Sequence, residues 1–255
     1  MTFALATVSC SGDKNGEKKD GDQRGKPSSA NNKQSSNNNV PEARATDIKI
    51  KTIGWNIEEY DPATNKAGDM VFTKESFASD LIFTPYGLAD IRSNDPTKIN
   101  PQPVFFLPVG TNVLALGDGY INKLEKLYSG DYTIWIGSEN ATGKEELMYP
   151  AYEHEHLINP TVKLGDKVKA GDVIGTVSDY DTQNHPGFGT IEIGKLNMDG
   201  THTCIFADLD KSIKDKINKD LTSIMAGWET YLGKPNIYAQ ESYKDPGCAT
   251  YDATR

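Results

Sequence analysis

Short hydrophobic runs separated by turn residues dominate the middle of the chain, between residues 44 and 200. In the segment DYTIWIG, Tyr132, Ile134 and Ile136 recur at every second position, and in GTIEI, Ile191 and Ile193 alternate with polar residues. This two-residue period is typical of half-buried strands. We therefore predict a mainly β domain over residues 44–200, built as a sandwich or barrel rather than from alternating strands and helices.

The hydrophobic spacing changes after Cys204, where apolar residues recur at helical intervals: Leu209, Ile213, Ile217, Leu221, Ile224, Met225 and Trp228. Asp208 is the predicted N-cap, and Gly233 with Pro235 gives a stop signal. We predict one amphipathic helix of about twenty residues in a C-terminal appendage, 201–255. In a strand-rich protein, such a helix is expected to cover a face or an edge of the sheet.

The N-terminal region has a different composition. Residues 11–39 contain a single apolar residue, Ala30, among glycine, serine, asparagine and charged residues. Such a segment buries too little surface to offset its ordering entropy, so residues 11–43 are predicted to be a disordered tether. It would let a lipid-anchored domain stand off a membrane.

Residues 1–10, MTFALATVSC, are similar to the end of a bacterial lipoprotein signal. They lack a charged beginning, and Thr7 stands where leucine is usual. We interpret them as a signal-like remnant with Cys10 as the lipid-attachment residue, which predicts an exported protein anchored in the bacterial cell envelope. The alternative is a disordered terminus with an incidental cysteine.

Charge and hydropathy exclude several partners. The 255 residues carry a net charge of −9, whereas nucleic-acid and anionic-membrane surfaces need basic patches. No run of apolar residues is long enough to span a bilayer. We therefore expect no nucleic-acid partner and contact with a membrane through the lipid anchor alone.

The chain has three cysteines. If Cys10 takes lipid, Cys204 and Cys248 remain as a pair, which an oxidising, exported location would allow to form a disulfide. The alternative is two free, buried thiols.

A glycine-punctuated segment, VKLGDKVKAGDVIGTV, turns the chain at Gly165-Asp166 and Gly171-Asp172 and fills the space between the turns with apolar residues. It resembles the VKVGDKVKAGQVIG motif of the lysostaphin-like (LytM-type) peptidoglycan metalloendopeptidases. The resemblance extends over residues 104–196: PVGTNVLALGDGYI resembles GTPVYAPADGVV, EHEHL resembles YAHL, and FGTIEI stands where the family has HLHFEI. It implies a flattened β-sandwich of the duplicated-hybrid-motif type.

Members of this family hold zinc with the His and Asp of an H-x-x-x-D segment and the second His of an H-x-H strand. The resemblance places Phe188 and Thr190 at the two H-x-H positions. It places Asn100 and Val104 at the H-x-x-x-D positions or, with an insertion, Tyr86 and Asp90. At best one ligand of three is present, so we expect no zinc and a degenerate member that is not an enzyme.

Four further residues, Tyr152, His154, His156 and Glu192, are candidates for a remodelled binding groove. His156 matches the histidine of YAHL, which stabilises the transition state in active members. His154 lies two positions away and is expected on the same strand face, with Tyr152 before it. Together with Tyr86 and Asp90 they form the predicted binding set. If a metal such as zinc is bound, the expected alternative ligands are Asp90, His154, His156 and His185.

Three functions are compatible with these residues and motifs. The favoured one is a zinc-less, endopeptidase-like domain that binds cell-wall material or a partner wall hydrolase, since inactive members of the family activate wall amidases. The second is an active metalloendopeptidase with a rearranged metal site. The third is a purely structural envelope lipoprotein.

Overall fold

A computed structural model describes residues 48–76, 81–89, 97–180 and 185–251. All of them belong to one compact unit, 45–255. The predicted signal remnant, the tether, Cys10 and Asp90 lie outside the described residues.

The described part of the chain contains twelve strands and one α-helix. The strands are β1 (Lys66–Ala67), β2 (Met70–Val71), β3 (Phe83–Thr84), β4 (Val104–Pro108), β5 (Asn112–Leu114), β6 (Gly119–Lys126), β7 (Tyr132–Gly137), β8 (Ala151–Ile158), β9 (Lys167–Val168), β10 (Val173–Val177), β11 (Phe188–Leu196) and β12 (His202–Thr203). The helix α1 is Lys211–Leu232, and short 3₁₀ turns cover Lys74–Ser76, Glu145–Leu147, Ile205–Asp208 and Gln240–Ser242.

Ten of these strands form one antiparallel sheet, whereas β1 and β2 form a separate hairpin. The order along the sheet is β3-β4-β11-β8-β7-β6-β9, with β10 pairing with both β5 and β8 and β12 pairing with β11. The centre of the sheet is therefore β11 and β8, the two strands that carry the FGTIEI and EHEHL segments. The predicted mainly β fold with one C-terminal helix is confirmed.

One hydrophobic core joins the sheet, the helix and the segment 48–57, which precedes the first strand and is called the N-terminal segment below. Ile191 and Ile193 of β11 are fully buried in it. Trp55 enters from the N-terminal segment and Trp228 from α1, each at most 1% exposed. Because burial of such side chains stabilises by about 2 kcal/mol or more each, the helix is held mainly by this apolar face.

The helix begins two residues later than predicted. Asp210, not Asp208, is the N-cap, and its side chain accepts a hydrogen bond from the Ser212 backbone N–H at 2.9 Å. Asp208 instead ends a 3₁₀ turn and forms an ion pair with Lys195. At the other end Gly233 adopts φ +65°, a left-handed conformation that favours glycine, so this predicted stop is present.

A disulfide joins Cys204 and Cys248, the pair that the cysteine count predicts. It closes a loop with a sequence separation of 44 residues, which contains the whole of α1. In the chain-entropy model a loop of this length contributes about 4 kcal/mol to stability. No helix in the described ranges has the length and apolar character needed to cross a membrane.

Gly227→Ala is expected to destabilise the protein, although this exchange normally stabilises a helix by about 1 kcal/mol. A Cβ at position 227 would lie 2.4 Å from Cδ1 of Tyr60, whose ring is stacked on Phe72. Urea unfolding measures the change in the free energy of unfolding. Thr222→Ala, at an exposed position of the same helix, is the control and is expected to be neutral or stabilising. A more stable Gly227→Ala variant would contradict the close packing of Tyr60 on the helix.

Candidate functional site

A bulge in β8 determines the geometry of the site. Tyr132 of β7 pairs with Leu157 and Ile134 pairs with His154, so Glu155 and His156 together lie opposite a single residue of β7. His156 has φ +67°, an uncommon conformation for a residue other than glycine. At this point β8 also changes its partner, pairing with β11 up to Glu155 and with β10 from Leu157.

The bulge directs His156 towards Asp131, which precedes β7. The Nδ1 atom of His156 donates to Oδ2 of Asp131 at 2.9 Å, and the Ser178 hydroxyl donates to the same oxygen at 2.8 Å. Burial alone would raise the pKa of Asp131, but hydrogen bonds from Ser129, Ser178 and His156 outweigh burial and hold the pKa below its usual value. Tyr180 stacks on the imidazole with ring centroids 4.3 Å apart. The ring is thus fixed in orientation, with Nδ1 protonated and Nε2 facing away from Asp131.

Two carboxylates face the other side of this imidazole. Nε2 of His156 lies 3.9 Å from Oε1 of Glu192, and Glu192 stands directly opposite Glu155 in the β8–β11 pair. Potential ligand atoms of Glu155, His156 and Glu192 all lie within 4.8 Å of one another. We call these three residues the Glu-His-Glu cluster; among the described residues it is the one group of three that could hold a metal ion.

Glu153 lies on the same face, two residues before Glu155, and is fully engaged. It accepts hydrogen bonds from Trp135 Nε1 at 2.5 Å, Gln102 Nε2 at 2.9 Å and His202 Nε2 at 3.2 Å. Burial acts to raise its pKa, but hydrogen bonds from His202, Trp135 and Glu155 outweigh burial, so the pKa of Glu153 is lowered. We refer to Glu153 and the Glu-His-Glu cluster together as the acidic face.

Glu155 has the opposite behaviour. Burial, followed by the charges of Glu153 and Glu192, raises its pKa to about 8, and Lys123 only partly offsets them. Three carboxylates at close range cannot all ionise without a neutralising group, so Glu155 holds its proton near neutral pH. A cation or a hydrogen-bond donor beside Glu155 and Glu192 would therefore be stabilised by the acidic face.

The two histidines of the EHEHL segment lie on opposite sides of the sheet, contrary to the expectation that they share a face. His154 pairs with Ile193, is fully buried in the core and donates from Nε2 to the Leu114 carbonyl at 3.2 Å. Tyr152 also faces the core, where its hydroxyl donates to the Ile48 carbonyl at 3.3 Å. The alternation would place His156 beside them, but the bulge adds one residue and moves His156 to the acidic face.

The remaining predicted site residues are not in the Glu-His-Glu cluster. Tyr86 is fully buried and its hydroxyl donates to the His202 carbonyl at 3.0 Å. His185 is 8% exposed and packs against Phe106, with ring centroids 5.0 Å apart. Asp90 lies outside the described residues. Of the predicted binding set, the structure brings together His156 and Glu192.

Three of the positions that the resemblance assigns to zinc, Asn100, Val104 and Thr190, do not fit this metal. The side-chain amide of Asn100 donates to the carbonyls of Thr84, Pro85 and Gln102, so it faces acceptors rather than a cation. Val104 is apolar, and Thr190 offers a hydroxyl in place of an imidazole. Zinc sites normally have three or four nitrogen, sulfur or carboxylate ligands, and these described positions provide none.

Sequence reasoning missed Asp131, Glu153 and Glu155. Glu155 stands between the two histidines of the EHEHL segment, but strict alternation assigns it to the face opposite His156. Asp131 is separated from His156 by the length of a hairpin, and no motif links them. A usable signal was present, since Ser129-Gly130-Asp131 is a turn that delivers an acidic residue to the strand beside EHEHL.

His154 is expected to make the protein acid-sensitive between pH 6.5 and 4. Burial lowers its pKa from 6.5 to about 4. The folded state therefore disfavours the charged ring, so the stability contribution is complete above pH 6.5 and is lost as the pH falls through 4. Between pH 7 and pH 4 the free energy of unfolding should fall in both proteins, and the fall should be about 1 to 3 kcal/mol smaller in His154→Gln than in the wild type.

Urea unfolding at pH 7 and at pH 4 measures this fall for each protein. Because each protein is compared with itself at the two pH values, a loss of stability that the substitution causes at both pH values does not affect the result. Lys144→Gln, at an exposed position, is expected to keep the full acid sensitivity. An identical pH dependence in His154→Gln and the wild type would show that His154 is not held neutral by the core.

Comparison with known proteins finds similar structures but no matching family model and no matching curated protein. The structure of LytU is 22% identical with a TM-score of 0.38, covering 47% of this chain and 79% of that one. The catalytic domain of lysostaphin from Staphylococcus simulans is 23% identical with a TM-score of 0.35, covering 46% and 83%. The catalytic domain of the prophage-encoded M23 protein EnpA from Enterococcus faecalis is 20% identical with a TM-score of 0.35, covering 50% and 91%.

The lysostaphin-like resemblance of the sequence motifs is thus found again among solved structures. At these TM-scores the similarities say nothing about which residues act in this chain. Its chemistry has to follow from the acidic face itself.

Proposed function

We propose that this protein is an exported, lipid-anchored envelope protein whose lysostaphin-like domain binds cell-wall peptides through the acidic face and does not cleave them. Two features support the proposal: the acidic face, and the residue types at the positions that the resemblance assigns to zinc. Glu153, Glu155 and Glu192 are set on adjacent central strands. The positions assigned to zinc carry Asn100 and Val104 or, with an insertion, Tyr86 and Asp90, together with Thr190, so at best one of three ligands matches the family. Binding through the acidic face needs no metal at these positions.

The chemistry of the acidic face favours a ligand with amino groups. Its carboxylates attract cations, and the half-buried setting screens this attraction less than open solvent would. Tyr149, which is half-buried and tilted against the buried Trp135 with ring centroids 5.3 Å apart, provides an aromatic border that an extended peptide could contact. Peptide chains with free amines are components of peptidoglycan, the polymer on which the resembling family acts.

Glu192→Gln is expected to weaken binding of the full chain to isolated peptidoglycan by about fivefold, because it removes roughly 1 kcal/mol of attraction. Co-sedimentation in the presence of EDTA measures the bound fraction. Glu59→Gln is the matched control and should bind as the wild type does. Glu59 is an exposed carboxylate outside the acidic face, and it pairs with Lys219 of α1.

Equal binding by all variants would contradict a role for the acidic face. If the wild type binds no peptidoglycan but retains a wall hydrolase in a pull-down, the partner-enzyme form of the hypothesis replaces it. Binding of neither would leave a structural role in the envelope.

A metal-dependent endopeptidase is the second candidate, because the Glu-His-Glu cluster places three potential ligands together with Asp131 behind the imidazole. The same incubation, repeated with added zinc, separates the two. Release of soluble peptide fragments that stops with EDTA and in His156→Gln would make the protein a peptidase and refute the non-catalytic proposal.

Lipid attachment is expected at Cys10. Cells expressing the wild type in the presence of labelled palmitate should yield labelled protein in the membrane fraction, and Cys10→Ser should yield unlabelled, released protein. A double variant with Cys204→Ser and Cys248→Ser keeps Cys10 and is expected to remain labelled. Label that persists in Cys10→Ser would refute the anchor.

A further inference from the structure

We infer that the Glu-His-Glu cluster is a divalent transition-metal site, displaced from the positions that hold zinc in lysostaphin-like enzymes. The site is formed by Glu155 and His156 of β8 and Glu192 of β11. It shares no residue with the Asn100, Val104 and Thr190 positions. It goes beyond the proposed wall binding, which uses the carboxylates of Glu155 and Glu192 in the metal-free protein.

The orientation of His156 prepares one ring nitrogen for a metal. Asp131 is an acceptor only, so Nδ1 of His156 carries the proton that it donates, and Nε2 is the ring nitrogen available to a metal. Histidines that ligate metals commonly donate their other ring N–H to a carboxylate, which fixes the tautomer in this way. Asp131 and Ser178 thus prepare Nε2 as a ligand, while the stacked Tyr180 limits rotation of the ring.

Nε2 of His156 faces a carboxylate across a gap of the size that a metal ion needs. The nearest Glu192 oxygen is 3.9 Å away, too far for a hydrogen bond and close enough for one ion to contact both atoms. Tetrahedral zinc with ligands at about 2.0–2.1 Å brings its donor atoms to about 3.4 Å from each other. A contraction of roughly half an ångström, within side-chain rotation, would therefore complete the contact.

An independent observation concerns Thr190, which precedes Glu192 by two residues and so lies on the same face of β11. Its hydroxyl is buried, with the residue 6% exposed, and has no hydrogen-bond partner among the described residues. Buried polar groups nearly always have a partner, and ordered water supplies it where protein does not. Three protein ligands leave a coordination position for water, and a metal-bound water on this face would satisfy the Thr190 hydroxyl.

The donor set indicates the class of metal. One imidazole and two carboxylates suit zinc, manganese or iron, whereas calcium and magnesium sites use oxygen ligands alone. Because affinities increase from manganese to zinc for such ligands, zinc is the probe of choice.

The test is retention of zinc by the full chain after equilibrium dialysis, measured by elemental analysis without any wall material. About one zinc per chain is expected for the wild type, with at least tenfold weaker binding in Glu155→Gln, Glu192→Gln and His156→Gln. Asp131→Asn, which leaves the three ligands in place, should weaken binding by about tenfold or more. His202→Gln is the matched control, since His202 forms a histidine–carboxylate pair with Glu153 on the same face outside the cluster.

Imidazole NMR signals give a second readout that unfolding cannot imitate. Zinc should shift the signals of His156 and leave those of His154 and His202 unchanged, and circular dichroism should show folded protein for each variant. No retained zinc in the folded wild type, or equal retention in the cluster variants and His202→Gln, would overturn the inference. Peptidoglycan binding in EDTA is scored separately, so failure of the metal site and failure of the wall-binding proposal are distinguishable.

Discussion

The hydrogen bond between His156 and Asp131 is the interaction on which the rest of the site depends. It lies where β8 leaves β11 and takes β10 as its partner, and it accompanies a left-handed residue at the bulge. A residue other than glycine in this conformation costs of order 1 kcal/mol or more, so the surroundings must over-determine it. Asp131 and Tyr180 do so by contacting the ring directly, and Ser178 does so by fixing the Asp131 carboxylate.

The fold could be predicted from the sequence because many local patterns along the chain agree with one another. Alternation in DYTIWIG and GTIEI specifies faces, the Gly-Asp turns specify lengths, and a helical period with Gly233 at its end specifies the single helix. The error at its start, Asp208 instead of Asp210, is of the kind that local composition cannot resolve. Both aspartates precede most of the apolar period, and their contacts separate their roles: Asp208 pairs with Lys195, whereas Asp210 accepts the capping hydrogen bond from Ser212.

The site was only partly accessible for a different reason. Period-two reasoning holds only as long as a strand is regular, and one inserted residue reverses the face of every side chain beyond it. The prediction that alternate residues of β8 share a face is therefore correct for Tyr152 and His154, which both face the core, and is wrong for His156, which lies beyond the bulge. Asp131 belongs to a neighbouring hairpin, and such contacts are specified by strand register rather than by any motif. The residue types at Thr190 and Val104, in contrast, can be read directly from the sequence, where they predict that these two positions do not hold zinc.

The disulfide has a mechanical consequence. Cys248 lies beside Tyr86 as well as being bonded to Cys204, so the C-terminal segment is attached at the end of β12 and at the edge of the sheet. Tension applied beyond residue 248 would pass through the covalent link into the sheet and bypass α1 altogether. This arrangement therefore shields the helix, and the core that it covers, from a load applied at the C-terminal end.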